Sequence, residues 1–421
     1  MKTILKILKD KTLRNRILFV AFILTLSRLI ATVPISGVSK EELAKLFSGN
    51  EQLFGILNLF SGGGLSSLSI IMLGVGPYIT ASIIMQLVAV LYPKLKQMQQ
   101  EDGTKGRQQF AQYTRYLTLP LAAVQGYALI LLLVKKSVLP EMSHTVMALN
   151  ILTVLGGTFL MLWLGELINE RGIGNGVSLL IFGGILAGLP TKFHNSLIAF
   201  DKTQLPLYLA LTIITLIVIA GIVYVTEAER PLEIAQAKQS RGYSDMSIHN
   251  SSYLPLRLNV AGVVPIIFAI SFLTLPQMAA QVFSLSSNPA LQTFANNIAV
   301  FLQNKWIYGI IYFALVFMFT YFYTFVTFDP VRTADQLQKA GQFVPGQRPG
   351  ESTSSYLFQV LSRITTVGAL FLGIIAILPI ILQGITGFTA VQIGGTSILI
   401  AVSVALDLMK KVDAHLAMSE Y

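Results

Sequence analysis

The residue types that carry chemistry are scarce in this 421-residue chain, and their spacing assembles nothing catalytic. Cysteine is absent, which removes thiolate nucleophiles, thiolate metal ligands and disulfides and leaves the redox compartment undecided. His144, His194, His249 and His415 are scattered, without the HExxH spacing that sets two imidazoles on one helix face around zinc. There is no GxSxG to present a strained serine and no GxxxxGK[ST] to cradle phosphates, and the GIGNG run at 172–176 does not fit a dinucleotide fingerprint. No catalytic residue, metal site or cofactor is therefore expected, and any nucleotide-driven work must come from a partner. Three ionisable residues lie in apolar surroundings: Arg28, Glu166 and Asp407. A proton- or ion-coupled transporter needs such groups near the membrane midplane. Each of these sits within about two turns of the end of an apolar run, where it can snorkel or pair.

The elements that would position any site are membrane helices. With 53% hydrophobic residues, 12% charged and a mean hydropathy of +0.67, the chain has too little charge to coat a soluble globule of this size. The fold class expected is an all-α integral membrane protein, one polytopic bundle without a separate soluble domain. Lys2 to Arg16 is basic and amphipathic, and no small-residue cleavage site follows the first apolar run, so that run is retained as a span. Ten spans are expected, at roughly 17–36, 75–92, 116–134, 146–168, 174–190, 206–226, 259–278, 306–327, 357–382 and 392–409, with ends uncertain by about two to four residues.

Basic residues gather in alternate loops, at 2–16, 94–115, 171, 230–257, 332–363 and 410–411. The opposite side holds Lys40, Lys45, Lys135, Lys136, Lys192, Lys202 and Lys305. This asymmetry puts both termini in the cytosol, so the net charge of +10 reports topology and not nucleic-acid binding. The spans divide into an N-terminal half, 1–190, an external hinge loop, 191–205, and a C-terminal half, 206–421. A repeat of five spans must be inverted relative to its partner. No residue-level similarity between the halves is evident, so the inversion rests on count and topology.

Glycine and proline break several apolar runs. Ser61–Gln86 reads SGGGLSSLSIIMLGVGPYITASIIMQ, uncharged yet cut by Gly62, Gly63, Gly64, Gly74, Gly76 and Pro77. Gly262-Val-Val-Pro265 and Gly394-Gly395 interrupt later ones, whereas Gly184-xxx-Gly188 reads as helix packing. Non-helical backbone at membrane depth survives only where protein or a water-filled cavity covers it. The breaks point to a central cavity. They present Val75, Ile79, Ile83, Ile181 and Ile267, an aliphatic constriction that holds no ion and can seal by excluding water. The loops 227–257 and 328–356, about 30 residues each, exceed what simply joins bundle helices and so invite function. In the second, FVPGQRPGEST (343–353) brackets Arg348 with prolines and glycines on a stiff exposed tip.

The stretches GPYITASIIMQL (76–87), ERGIGNGVSLLIFGGI (170–185), LPLRLNVAGVVPIIFA (254–269), FVPGQRPGEST (343–353) and GGTSILIAVSVALD (394–407) closely resemble the SecY family, the channel subunit of the bacterial protein-translocation complex. The resemblance runs from the first span to Tyr421. It implies a SecY-like clamshell of two inverted, pseudo-symmetric halves of five helices, hinged at the external loop. It also implies a short plug helix at 61–71, including Ser61, Gly62, Gly63, Gly64, Leu65, Ser66, Ser67 and Leu68, with Gly74–Pro77 as the bend into the second span. The family's pore ring falls on Val75, Ile79, Ile181, Ile267 and Ile400, with Val75 smaller than the Ile common at its position. The lateral gate lies between spans two and three on one side and seven and eight on the other. Thr80 and Leu275 match facing gate positions, and Gln86, Asn175 and Asn259 match polar positions nearby.

The implied function is a protein-conducting channel in the bacterial plasma membrane, passing unfolded chains across and releasing membrane helices sideways into lipid. The implied partners are SecE- and SecG-like small membrane subunits, the SecA motor ATPase, the ribosome, precursor polypeptides with signal sequences, and membrane lipids. Arg348 matches the arginine that matters for the motor, with Arg230, Lys238 and Arg241 as further contacts. The first loop departs from the family pattern: EAERPLEIAQAKQSRG (227–242) stands where relatives carry a basic GQRR-like run. Docking strength and partner choice are left open by that departure, as is an accessory paralogue serving restricted substrates. An inverted-repeat secondary transporter of small solutes shares the topology and stands as the rival class, with a membrane enzyme behind it.

Overall fold

The computed structural model describes residues 10–35, 58, 61–100, 103–135, 138–140, 142–198, 205–236, 252–284, 288–386 and 395–419. Local chemistry sets the helix boundaries. Asp10 opens α1 (Lys11–Ala31), its carboxylate accepting from the N–H of Thr12 at 2.9 Å and Leu13 at 3.3 Å. Proline near the start of α2 (Gly76–Leu91) needs no helical donor, and the helix ends at Tyr92, extended before Pro93. There the chain turns by 118° into α3 (Pro93–Gln100). α4 (Gly103–Lys135), α5 (His144–Arg171), α6 (Gly176–Ile198) and α7 (Leu205–Glu227) follow. α8 (Val264–Phe283), α9 (Pro289–Gln303), α10 (Lys305–Thr327), α11 (Pro330–Lys339), α12 (Glu351–Thr386) and α13 (Gly395–Ser419) complete the helices.

Each of the ten expected spans coincides with a helix. Among the described residues, Gly103–Lys135, His144–Arg171, Tyr208–Glu227, Lys305–Lys339 and Glu351–Gly384 are long and apolar enough to cross a membrane alone, and α2 joins them if counted with α3 across the bend. Gly176–Thr191 and Val264–Ala280 are shorter apolar helices. In the first half α4 packs on α2, α3 and α5, α5 packs on α6, and α1 lies across α5 and α6. In the second, α10 packs on α12 and α8, and α13 on α7 and α12. The halves meet along two seams, α8 against α2 and α4 on one side and α13 against α6 on the other. One apolar cluster runs through both halves.

Four sequence expectations need correction. Residues 61–75 form a run of turns, not a plug helix. Gly62 and Gly63 take φ of 60° and 90°, a left-handed backbone closed to a continuing helix, and Leu68 follows at 42°. The helical class holds, but the two long segments read as loops carry strands: Glu229–Gln236 (β1), Ser252–Arg257 (β2) and Gln342–Phe343 (β3) form a sheet in the order β2-β1-β3. Pro231 stands opposite Pro255 in the β1–β2 hairpin. Because neither has an N–H, both must occupy outward-facing, non-bonded positions. The expected hinge loop 191–205 is helical as far as Ile198, since Pro190 sits inside α6 without ending it, and residues 199–204 lie outside the described set. Finally, α9 and α11 are helices within segments read as loops. Asn288 caps α9 from its side chain at 3.0 Å and Asp329 caps α11 at 3.0 and 3.3 Å, each followed by proline.

Backbone crowding fixes the corner between α5 and α6. A Cβ on Gly176 would overlap the carbonyl of Gly165, and Gly176 N–H donates to Asn169 Oδ1 at 2.7 Å. Gly176→Ala is expected to destabilise the protein by about 1–3 kcal/mol, the usual cost of overpacking. Gly126→Ala, whose Cβ would meet only Leu73 and Val154 side chains at 3.7 and 3.8 Å, should cost far less. Thermal unfolding of the two purified variants in detergent checks the difference.

Candidate functional site

The five residues expected to form the pore ring are aliphatic side chains delivered by four separate elements and buried in one cluster, here called the waist. Val75 precedes α2 as its N-cap and Ile79 sits in its first turn, while Ile181, Ile267 and Ile400 come from α6, α8 and α13. Their relative exposures are 1%, 5%, 1%, 7% and 1%, and all five belong to the same buried cluster, together with Ile71, Ile83 and Ile185. Both halves contribute to the cluster, which leaves these five side chains with little access to solvent. Among the described residues no group of His, Cys, Asp and Glu could hold a metal ion. The cluster offers only weak, non-directional contacts.

The turn segment 61–75 contributes Ile71 and Val75 to this cluster and is mostly buried. Leu65, Leu68, Ile71 and Met72 are at most 1% exposed. Serines satisfy its backbone from within: Leu65 N–H donates to Ser61 Oγ at 3.0 Å, and Ser69 Oγ donates to Gly64 O at 3.0 Å. Ser66 is exposed, its Oγ donating to Gly63 O at 2.7 Å. The end of α1 holds the segment from outside, with Ser67 Oγ donating to Ala31 O at 2.6 Å, Ile35 N–H to Leu68 O at 2.9 Å and Ile70 N–H to Val33 O at 3.0 Å. Glycine allows the closest approach. A Cβ on Gly157 of α5 would overlap the Ile70 carbonyl, and one on Gly184 of α6 would overlap Gly62 Cα. Gly184, read from sequence as helix packing, thus meets the turn segment.

The seam of α8 with α2 and α4 encloses a small pocket lined by Met72, Leu73, Gly76, Thr80, Gln125, Leu129, Ser271, Thr274 and Met278. Thr80 is buried and donates to Gly76 O at 3.2 Å, and Thr274 donates to Ser271 O at 2.8 Å. Ser271 Oγ is buried without a partner among the described residues. The spacing 271, 274, 278 gives one helix face, so Thr80 meets Ser271, Thr274 and Met278, while half-buried Leu275 is not among the pocket's lining. Sequence reasoning missed Gln125, Ser271 and Thr274. Polar residues in an apolar helix were their one available signal.

The remaining polar candidates have local partners. Asn175 is exposed at the start of α6, its Oδ1 accepting from Val177 N–H at 3.1 Å and Ser178 N–H at 3.4 Å, so it caps that helix away from the α8 seam. Asn259 Nδ2 donates to Gly262 O at 3.2 Å in the turn before α8, and half-buried Gln86 donates to Ser82 Oγ at 3.2 Å. Glu166 pairs with Arg115 at 2.6 Å between α5 and α4, and Asp407 with Lys411 at 3.0 Å on the exposed side of α13. Neither carboxylate enters the waist.

The two long loops form one platform. β3 pairs with β1 through Ala235↔Phe343 and Gln236↔Gln342, joining the second loop to the first. Leu232 and Leu256 pack with Ala334 of α11 and Leu357, Val360 and Ile364 of α12. The tip carries Arg348 exposed, its carbonyl accepting from Thr353 Oγ1 at 2.8 Å, and Arg230 is exposed on β1. Lys238 and Arg241 lie outside the described residues.

Fold and site together define a two-lobed helical membrane protein with the architecture of a protein-conducting channel. The structure of a protein conducting channel superposes with a TM-score of 0.66 at 18% identity, covering 98% of this chain and 94% of that one. A SecY whose plug domain is described as stabilising the closed state and maintaining a membrane seal gives 0.65 at 19%, over 98% and 94%. Sec61 in the canine ribosome-channel complex gives 0.63 at 18%, with the same coverage. In sequence, the protein translocase subunit SecY of Synechococcus elongatus is 39% identical over 100% of this chain and 96% of its own. That of Thermotoga maritima is 39% identical over 98% and 95%. The SecY family profile matches residues 69–409, and the chain belongs to the SecY family.

Because Ser271 Oγ satisfies no partner, its removal forfeits no hydrogen bond. Ser271→Ala is expected to change stability by less than about 0.5 kcal/mol, whereas Ile181→Ala in the waist should cost about 2–5 kcal/mol. Thermal melts of the purified complex read both.

Proposed function

We infer that this chain is the protein-conducting channel of a bacterial Sec translocase, passing unfolded polypeptides across the plasma membrane and releasing apolar helices sideways into lipid. The single observation that carries this is the burial of Val75, Ile79, Ile181, Ile267 and Ile400 in one aliphatic cluster in a member of the SecY family. A chain in transit presents charged, polar and bulky groups in turn. A directional binding site would trap some of them, whereas an aliphatic ring grips none and yields around all. When idle it keeps ions out, because hydrated ions find no ligands there.

In this reading ten spans cross the membrane in two inverted halves, both termini are cytoplasmic, and residues 61–71 are the plug. The lateral gate is the seam of α2 and α4 with α8 and α10. Thr80, Gln86, Asn259 and Leu275 belong near it, whereas Asn175 serves as the cap of α6. A signal sequence or nascent membrane helix reaching the seam leaves sideways, driven by about 25 cal/mol for each Å² of apolar area removed from water. Polar segments lack that drive and go through.

Opening is a partner's work. SecE- and SecG-like subunits complete the membrane complex, and a SecA motor or a ribosome docks on the platform at Arg348 and Arg230, with Lys238 and Arg241 in the intervening loop. Paired loops transmit force as a unit, since displacing 343–353 moves β3 and hence β1. The first loop's acidic residues Glu227, Glu229 and Glu233 are partly tied up, Glu227 with Lys410 and Glu229 with Arg257, each at 3.0 Å.

Reconstituted in vesicles with its small subunits and motor ATPase, the protein should import a precursor with ATP. Replacing Ile79 and Ile181 together by asparagine should make the idle channel leak ions severalfold faster and admit a precursor with a crippled signal. Changed uptake of a small solute, with no precursor import by either form, would identify a secondary transporter and refute the channel reading.

A further inference from the structure

Arg28 sits in the last turn of α1, and nothing described so far uses its charge. Its Nη1 donates to the carbonyl oxygen of Gly62, the first glycine of the turn segment, and its Nε donates to Ser27 Oγ at 3.4 Å. Nη2 is buried without a partner among the described residues. Gly62 is clamped from two directions. A Cβ there would overlap the guanidinium, while on α6 the bare surface of Gly184 leaves room for the Gly62 backbone and no more. The other holds on the segment from α1 are neutral, through Ala31 O, Val33 O and Ile35 N–H.

A hydrogen bond from a cation to a carbonyl is roughly twice as strong as a neutral one, and low dielectric strengthens it further. An ionisable residue inside a membrane bundle is costly unless it does something there. Among the described residues, the Gly62 carbonyl and Ser27 Oγ are the acceptors that the partly buried Arg28 guanidinium reaches, and of the two only Gly62 belongs to the turn segment.

We propose that Arg28 is the positioning residue of the plug, fixing residues 61–71 in the closed channel through the Gly62 carbonyl and so setting how strong a signal must be to open it. The proposal rests on reading 61–71 as the plug. When the segment moves out, the carbonyl leaves the guanidinium, and that lost contact is part of the work of opening. A signal sequence must supply it.

The test compares Arg28→Gln, Arg28→Lys and deletion of 62–68, each in the full-length protein with its small subunits. Idle ion conductance in planar bilayers and export of a precursor with a crippled signal are measured. Arg28→Gln should raise both by roughly tenfold, the order expected from losing one charge-assisted hydrogen bond, while a precursor with an intact signal is still exported. Arg28→Lys, which keeps a charged donor, should fall between the two. If the deletion raises both readouts and Arg28→Gln matches the parent, Arg28 is refuted and the plug reading stands. If the deletion changes neither, the plug reading falls and takes this proposal with it. Loss of export of the intact-signal precursor by both Arg28 variants would assign the residue to folding of α1 and overturn the proposal.

Discussion

Backbone that is not helical has no water to turn to inside a bundle of apolar helices, and the segment 61–75 is such backbone. Every N–H and carbonyl buried there must find a partner in protein. The segment meets the requirement with serine hydroxyls, with i-to-i+3 turns such as Leu68 N–H to Leu65 O at 3.1 Å, and with the extended end of α1. It meets the steric half with glycines on its neighbours: Gly157 and Gly184 give up their side chains so that this backbone can touch helix surface. The result is a cluster of turns stabilised by short polar contacts and seated against bare glycine surface.

The waist obeys an opposite rule. Where the turn segment is rich in directional bonds, the cluster around Val75, Ile79, Ile181, Ile267 and Ile400 has none. The two carboxylates that the sequence places in apolar runs are paired away from the cluster, Glu166 with Arg115 and Asp407 with Lys411. Directional chemistry would make a channel selective, whereas dispersion alone makes it tolerant. The two seams divide the remaining labour. That of α8 with α2 and α4 is polar and incompletely satisfied, with Ser271 Oγ unpartnered. At the loop end of the other, α13 joins the first half through Leu13, Ile173, Val412 and Leu416, with Arg16 and His415 at 3.3 Å beside them.

The platform connects to the polar seam. α3, which turns away from α2 through 118°, brings Lys96 within 3.9 Å of Asp329, the residue that caps α11. α11 in turn packs on α12 and β3. The tip at Arg348 and the loop end of α2 are therefore linked through packed secondary structure and one partly exposed ion pair. Such a pair contributes little energy by itself. Its position across the halves matters more than its strength.

Composition and periodicity determined the membrane class and anticipated the helices that are long and apolar enough to cross a membrane, because hydropathy over a span is a local property that no neighbour can overrule. The glycine and proline breaks at 62–64 and 74–77 were equally legible as interruptions. What the interruption becomes was not, since three glycines permit a helix start or a string of turns alike, and only the packing of Gly62 and Ile70 onto α6 and α5 selects the turns. The pairing of β3 with β1 was hidden because strand partners more than a hundred residues apart leave no sequence period, and Pro231 argued against a strand. The same holds for Ser271 and Thr274 at the seam, and for Arg28, whose charge read as an interfacial residue until tertiary structure set a carbonyl beside it. Sequence determines which surfaces are apolar and where the backbone can bend. Contact between residues far apart in the chain, which decides what those surfaces and bends are for, exists only in three dimensions.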